Sequence, residues 1–149
     1  MVPHQEMASP AKALRLSLDA DFCLCPTGDA KGFTARFYFS LLLGCLPVRV
    51  DGWRRNQDQM PTTWPNAHLV DWSRVVIDVP FMQAVSPTHG LLQKLLAIPG
   101  AEVVARRSHL RSVAHWLAYD ELAEQTSTGL PDAADAAVAQ LIARVRGAS

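Results

Sequence analysis

Between Pro26 and Arg36 the chain carries residue types able to hold an anion: Gly28 and Gly32 in a turn-forming stretch, the hydroxyl of Thr34, and Arg36 two positions further on. Glycines let a backbone come close to a phosphate, and a helix that begins after such a loop offers free N–H groups. An arginine in the first helical turn can add a charge-assisted hydrogen bond. The plain reading stands beside this one, since glycines in loops often serve only the turn and an arginine near a helix start is often only solvated. The loop matches neither a Walker pattern nor a complete GxGxxG, so spacing alone leaves both readings open.

Other chemistries find less support. Asp71 and Asp78 are carboxylates that acid/base hydrolysis could use, but Asp78 alternates outward in a run of Val75, Ile77 and Val79. Arg106, Arg107 and Arg111 with Trp116 nearby offer a nucleic-acid surface in outline. Fourteen Lys and Arg against fourteen Asp and Glu leave no net charge, however, and a few arginines on an amphipathic helix usually form a solvated face. Three cysteines, Cys23, Cys25 and Cys45, are an odd and sparse set, which argues against a disulfide framework and for buried thiols in strands. With no second cysteine pair and no close spacing among the five histidines, no metal site is expected. Trp72 and Trp116 read as core, whereas Trp53 and Trp64 fall in a long polar stretch and are the better candidates for contact with a sugar or another lobe.

The elements that must position these residues follow from punctuation and periodicity. Phe22 to Cys25 is a compact apolar run stopped by Pro26, a buried strand entering a loop. Thr34 is placed to cap a helix over Ala35 to Leu43, apolar nearly all round and so expected to be buried, with Gly44 ending it. Cys45 to Val50 reads as a second strand. Strand, loop, helix and strand within about 30 residues fit a right-handed crossover with parallel strands. Residues 53–66 read as a long surface loop and Val75 to Val79 as a third strand closed by Pro80. Upstream, Lys12 to Leu18 fits either a strand or the tail of a helix. Downstream, Leu91, Leu92, Leu95 and Leu96 mark a helix ending near Pro99, and Val103, Leu110, Ala114 and Leu117 mark the next. Asp132 can cap a last helix whose buried stripe would be Ala134, Ala137, Val138, Leu141, Ile142 and Val145.

The expected fold class is therefore α/β: a Rossmann-like three-layer domain with a short parallel sheet flanked by helices and a mostly helical C-terminal part. The 149 residues suit one domain, read as a disordered tail over 1–11, the domain over 12–146 and a short tail over 147–149. The longest apolar run, Phe37 to Val48, is interrupted by Ser40, Gly44 and Pro47 and falls short of the roughly 20 residues a bilayer span needs. Neither a targeting nor a transmembrane segment is read in the chain, and contact with a membrane is not expected.

Four ordered motifs carry a family resemblance: Phe22-Cys23-Leu24-Cys25-Pro26-Thr27-Gly28-Asp29, then Thr34-Ala35-Arg36, then Gly44-Cys45-Leu46-Pro47-Val48, then Asp71-Trp72-Ser73. They resemble the C-terminal part of the exostosin glycosyltransferases, over about 125 residues from Leu18 to roughly Arg146. The resemblance implies one half of a GT-B fold, the donor lobe that binds a nucleotide-diphospho-sugar for transfer to a glycan acceptor, in protein glycosylation or polysaccharide biosynthesis in the Golgi. It implies that Gly28, Asp29, Thr34 and Arg36 surround the diphosphate, and no cofactor. The general base would sit in an acceptor lobe outside these residues or on a partner chain, so no catalytic residue is assigned and turnover by this lobe alone is not expected. The chain departs from the family pattern at Thr27, where an arginine is frequent, and at Phe39, where a carboxylate suited to ribose hydroxyls is frequent. An alternative expectation is thus a degenerate lobe retained as an assembly partner.

Overall fold

The computed structural model describes residues 10–26, 34–51, 64–88, 90–118 and 132–147. Its centre is a parallel sheet of β1 (Phe22–Pro26), β2 (Leu46–Asp51) and β3 (Ile77–Pro80), in the order β1-β2-β3. Phe22 lies beside Leu46 and Val48 beside Ile77, so Cys25, Arg49 and Asp78 stand in register across the three strands. Helices α1 (Pro10–Asp19), α2 (Ala35–Leu42), α3 (Phe81–Ala84), α4 (Leu91–Leu96), α5 (Gly100–Val113) and α6 (Ala133–Gly147) flank it. The molecule is α/β with a short three-stranded parallel sheet, a Rossmann-like layout. No helix among the described residues is long and apolar enough to cross a membrane.

Lys12 to Leu18 is resolved in favour of a helix. Lys12, Arg15 and Asp19 fall on one side of it, and the alternating leucines that resemble strand periodicity spread over the remainder. α2 begins after Thr34 and ends at Gly44, whose φ of +72° is the left-handed conformation that glycine adopts without a Cβ penalty. Expected buried on all sides, α2 in fact buries Phe37, Ser40 and Leu41, while Phe39 is 62% exposed and Leu42 is exposed too. A single sheet face covers only one side of an eight-residue helix.

β3 starts two residues later than its apolar run. Asp71 caps a 3-10 turn over Trp72–Arg74, accepting from Ser73 N at 3.2 Å and Ser73 Oγ at 2.6 Å. That turn uses backbone groups that a longer strand would need, yet Val75 and Val76 remain buried beside it. The core packs Phe37 against Trp72 at 5.7 Å and Trp64 at 6.2 Å between ring centroids, with Trp64 stacked on Trp72 at 5.0 Å. Val103, Leu110 and Val113 of α5 join the same cluster.

Asp132 caps α6 as its type and place predict, its Oδ1 accepting from Ala134 N at 2.7 Å and Asp135 N at 3.1 Å. Removing that carboxylate in Asp132→Ala should cost about 1 kcal/mol, read by chemical denaturation, with a matching loss of helical circular dichroism. The expected buried stripe of α6 is a correction. Val138, Leu141 and Ile142 are exposed, and Ala136 is the residue that faces the fold. At the start of α6 Ala133 N donates to Ala118 O at 3.0 Å, and the inward side carries buried Ala136 and half-buried Gln140. The side chain of Val145 lies outside the described residues.

Candidate functional site

In a parallel α/β sheet the ligand end is the carboxyl end of the strands, where β1 leads toward α2. The loop between them, with Gly28 and Asp29 among the expected diphosphate contacts, lies outside the described residues. Thr34 and Arg36 are described, and the fold brings both to the start of α2. Thr34 O accepts from Phe37 N at 2.9 Å and Tyr38 N at 3.4 Å, but its side chain makes no cap bond. The N–H of Arg36, within reach of a capping hydroxyl, consequently receives no bond from the Thr34 side chain.

Arg36 is exposed, and no carboxylate pairs with it among the described residues. Its side chain lines a groove between α1 and α2 together with Ala13, Ser17, Phe39 and Leu43. The groove holds about 370 Å³ toward Phe22 and Leu24 and about 570 Å³ toward Ala11 and Leu14. Its walls are largely apolar, leaving Arg36 as their charged group.

The second cation at this end of the sheet was not singled out by sequence reasoning. Arg49 interrupts the apolar run of β2, and that interruption was the available signal. It forms an ion pair with Asp78 and lies 4.9 Å from the centroid of Trp64, a cation–π arrangement. Arg49 is thus committed to structure. Asp78 points outward as its alternation predicts, and Lys94 Nζ donates to its carbonyl at 2.9 Å. Trp64, expected to meet a sugar or another lobe, is half-buried and packed against the core cluster; Trp53 lies outside the described residues.

The cysteine reading needs correction as well. Cys23 and Cys45 form a disulfide with a Cα–Cα distance of 5.7 Å. Pairing of Phe22 with Leu46 sets the start of β1 beside the start of β2 and so brings together two cysteines 22 positions apart. Cys25 remains a buried thiol, 3.6 Å from Ser40 Oγ. Burial pushes its pKa up, against the smaller lowering effects of the Ser40 hydrogen bond and the Arg36 charge. A group held in its thiol form in this way is a poor nucleophile.

Asp71, Ser73 and His109 resemble a nucleophilic triad in composition only. Asp71 bonds Ser73 directly, and that bond is the main reason its carboxyl sits below the usual range. His109 does not relay between them, and its Nε2 is buried without a partner among the described residues. Two arginines of α5 are structural clamps. Arg106 pairs with Glu102 at 2.8 Å and donates to Ser73 O at 2.9 Å, while Arg107 pairs with Asp21 at 2.7 Å and donates to Gly44 O at 3.0 Å. Arg111 is exposed on the same helix.

Among the described residues no cluster of histidine, cysteine and carboxylate side chains could hold a metal ion. Comparison with protein-family models, with curated proteins and with solved structures finds no match.

Proposed function

We propose that this chain is the donor-binding lobe of an exostosin-like glycosyltransferase, one half of a GT-B fold that holds a nucleotide-diphospho-sugar. The observation that carries the reading is the start of α2. Parallel β1 and β2 enclose a loop and helix bearing the family motifs, and the helix opens on Thr34 without a side-chain cap and on an Arg36 free of any carboxylate among the described residues. First-turn N–H groups that the Thr34 side chain does not cap, a helix dipole and a guanidinium together suit a diphosphate. Gly28 and Asp29 would complete the cradle. In transfer, the same groups would stabilise charge building on the departing nucleotide, and a glycan acceptor with its general base would be held by an acceptor lobe or partner chain. The Cys23–Cys45 disulfide fits folding in an oxidising compartment, in keeping with a Golgi location.

Calorimetric titration with uridine, guanosine and other nucleoside diphosphates tests this reading. Binding is expected, and Arg36→Ala should weaken it at least about tenfold through loss of one charge-assisted bond. Absence of heat at millimolar nucleotide, or affinity unchanged by Arg36→Ala, would count decisively against it.

A second reading is favoured by Phe39. Its ring is 62% exposed where a ribose-binding carboxylate is expected, and a phenyl group cannot accept a hydroxyl hydrogen bond in the manner of a carboxylate. A lobe that binds no nucleotide but co-purifies with a full-length transferase would be an assembly partner.

A further inference from the structure

Helix α6 carries an apolar stripe that nothing in the described fold covers. At about 100° per residue, Ala134, Val138, Leu141 and Ile142 fall on one side of it, roughly opposite the buried Ala136. Val138 is 56% exposed, Leu141 64% and Ile142 45%. On one flank of this stripe lie Asp135 and Arg146, both exposed, an acid near the beginning of the helix and a base near its end.

We propose that two copies of this chain associate through α6, packed antiparallel about a two-fold axis that crosses the helix near Gln140 and Leu141. The charges select this occupant and this direction. Asp135 and Arg146 are separated by about 16 Å along the axis. An antiparallel pair keeps like flanks together, so each Asp135 falls opposite Arg146 of the second copy and two ion pairs bracket the contact. The same operation sets Val138 against Ile142 of the second copy and Leu141 against itself. A parallel two-fold pair would put the two charged flanks on opposite sides of the contact and leave Asp135 and Arg146 without these ion pairs.

Both charged groups are available for the contact. Asp135 Oδ2 accepts from Asp132 N at 3.0 Å, leaving Oδ1, and no carboxylate pairs with Arg146 among the described residues. Antiparallel alignment also sets the positive end of each helix dipole beside the negative end of the other. The stripe is short, so a weak and reversible association is expected.

Sedimentation equilibrium of the whole chain between about 1 and 300 µM tests the proposal. A reversible monomer–dimer equilibrium is expected. Asp135→Lys and Arg146→Glu, each alone, should weaken it at least about tenfold by opposing like charges. An equimolar mixture of these two variants should recover the affinity of the original chain, because Lys meets Glu in one pair while Arg146 meets Asp135 in the other. Leu141→Glu should abolish dimerisation without moving the thermal melt, its side chain being largely in solvent. A chain that stays monomeric across the range overturns the proposal. So does a dimer indifferent to the single charge reversals, or one that the mixture fails to restore.

Discussion

Replacing Phe37 with alanine should lower the stability of the fold by about 3–5 kcal/mol, the usual cost of emptying a fully buried aromatic site. Phe37 is 1% exposed and is the residue through which α2 reaches the aromatic cluster, with Tyr38, Trp64 and Trp72 rings all around it. Truncation removes those contacts and leaves a cavity that Trp64 and Trp72 have little freedom to fill. The indole of Trp72 is held by its Nε1 bond to Pro65 O at 2.7 Å, and Trp64 is stacked upon it and faced by Arg49. Since a domain of this kind is stable by only about 5–15 kcal/mol, the variant should sit near the limit of folding.

The control is two residues away. Phe39→Ala, at an exposed site on the same helix, should stay within about 0.5 kcal/mol of the original chain. Guanidinium or urea denaturation of both variants decides the matter. Equal losses at the two sites would mean that α2 does not present this face to the sheet.

Opening the Cys23–Cys45 bridge should cost about 3 kcal/mol, because the closed loop spans 22 positions and its closure restricts the unfolded chain. The double variant Cys23→Ser, Cys45→Ser is the appropriate form, since a single replacement would leave a reactive thiol on its partner. Denaturation with and without reductant should show the same difference for the original chain and none for the double variant. Thiol counting gives a separate check. The denatured chain should expose one reactive thiol, Cys25, without reductant and three with it. Three thiols in the absence of reductant would refute the bridge. Cys25 should not reshuffle the bridge in the native state, because burial raises its pKa and keeps the attacking thiolate scarce.

The part of the candidate site legible from the chain was its frame. An apolar run stopped by Pro26, a helix start at Thr34 and a stop at Gly44 are signals of backbone chemistry, and β1, α2 and β2 appear where those signals lie. Thr34 and Arg36 accordingly arrive together at the head of α2. What Arg36 faces was not legible: the groove with α1 depends on how two helices pack. Arg49 was passed over because its partners, Asp78 and Trp64, come from remote segments.

The same boundary runs through the whole molecule. Its α/β order, its capped last helix, and the core roles of Trp72, Val103 and Leu110 were determined by residues acting on their own neighbourhood, through turn chemistry, capping and periodic burial. Tertiary structure alone decided the Cys23–Cys45 bridge, the stacking of Trp64 against the core and the clamps made by Arg106 and Arg107. It also decided that α6 turns Ala136 inward and its larger side chains outward. Each of these requires two segments far apart in the chain to meet in one particular register, and the periodicity of a single segment shows that it has an apolar face without showing what that face will meet.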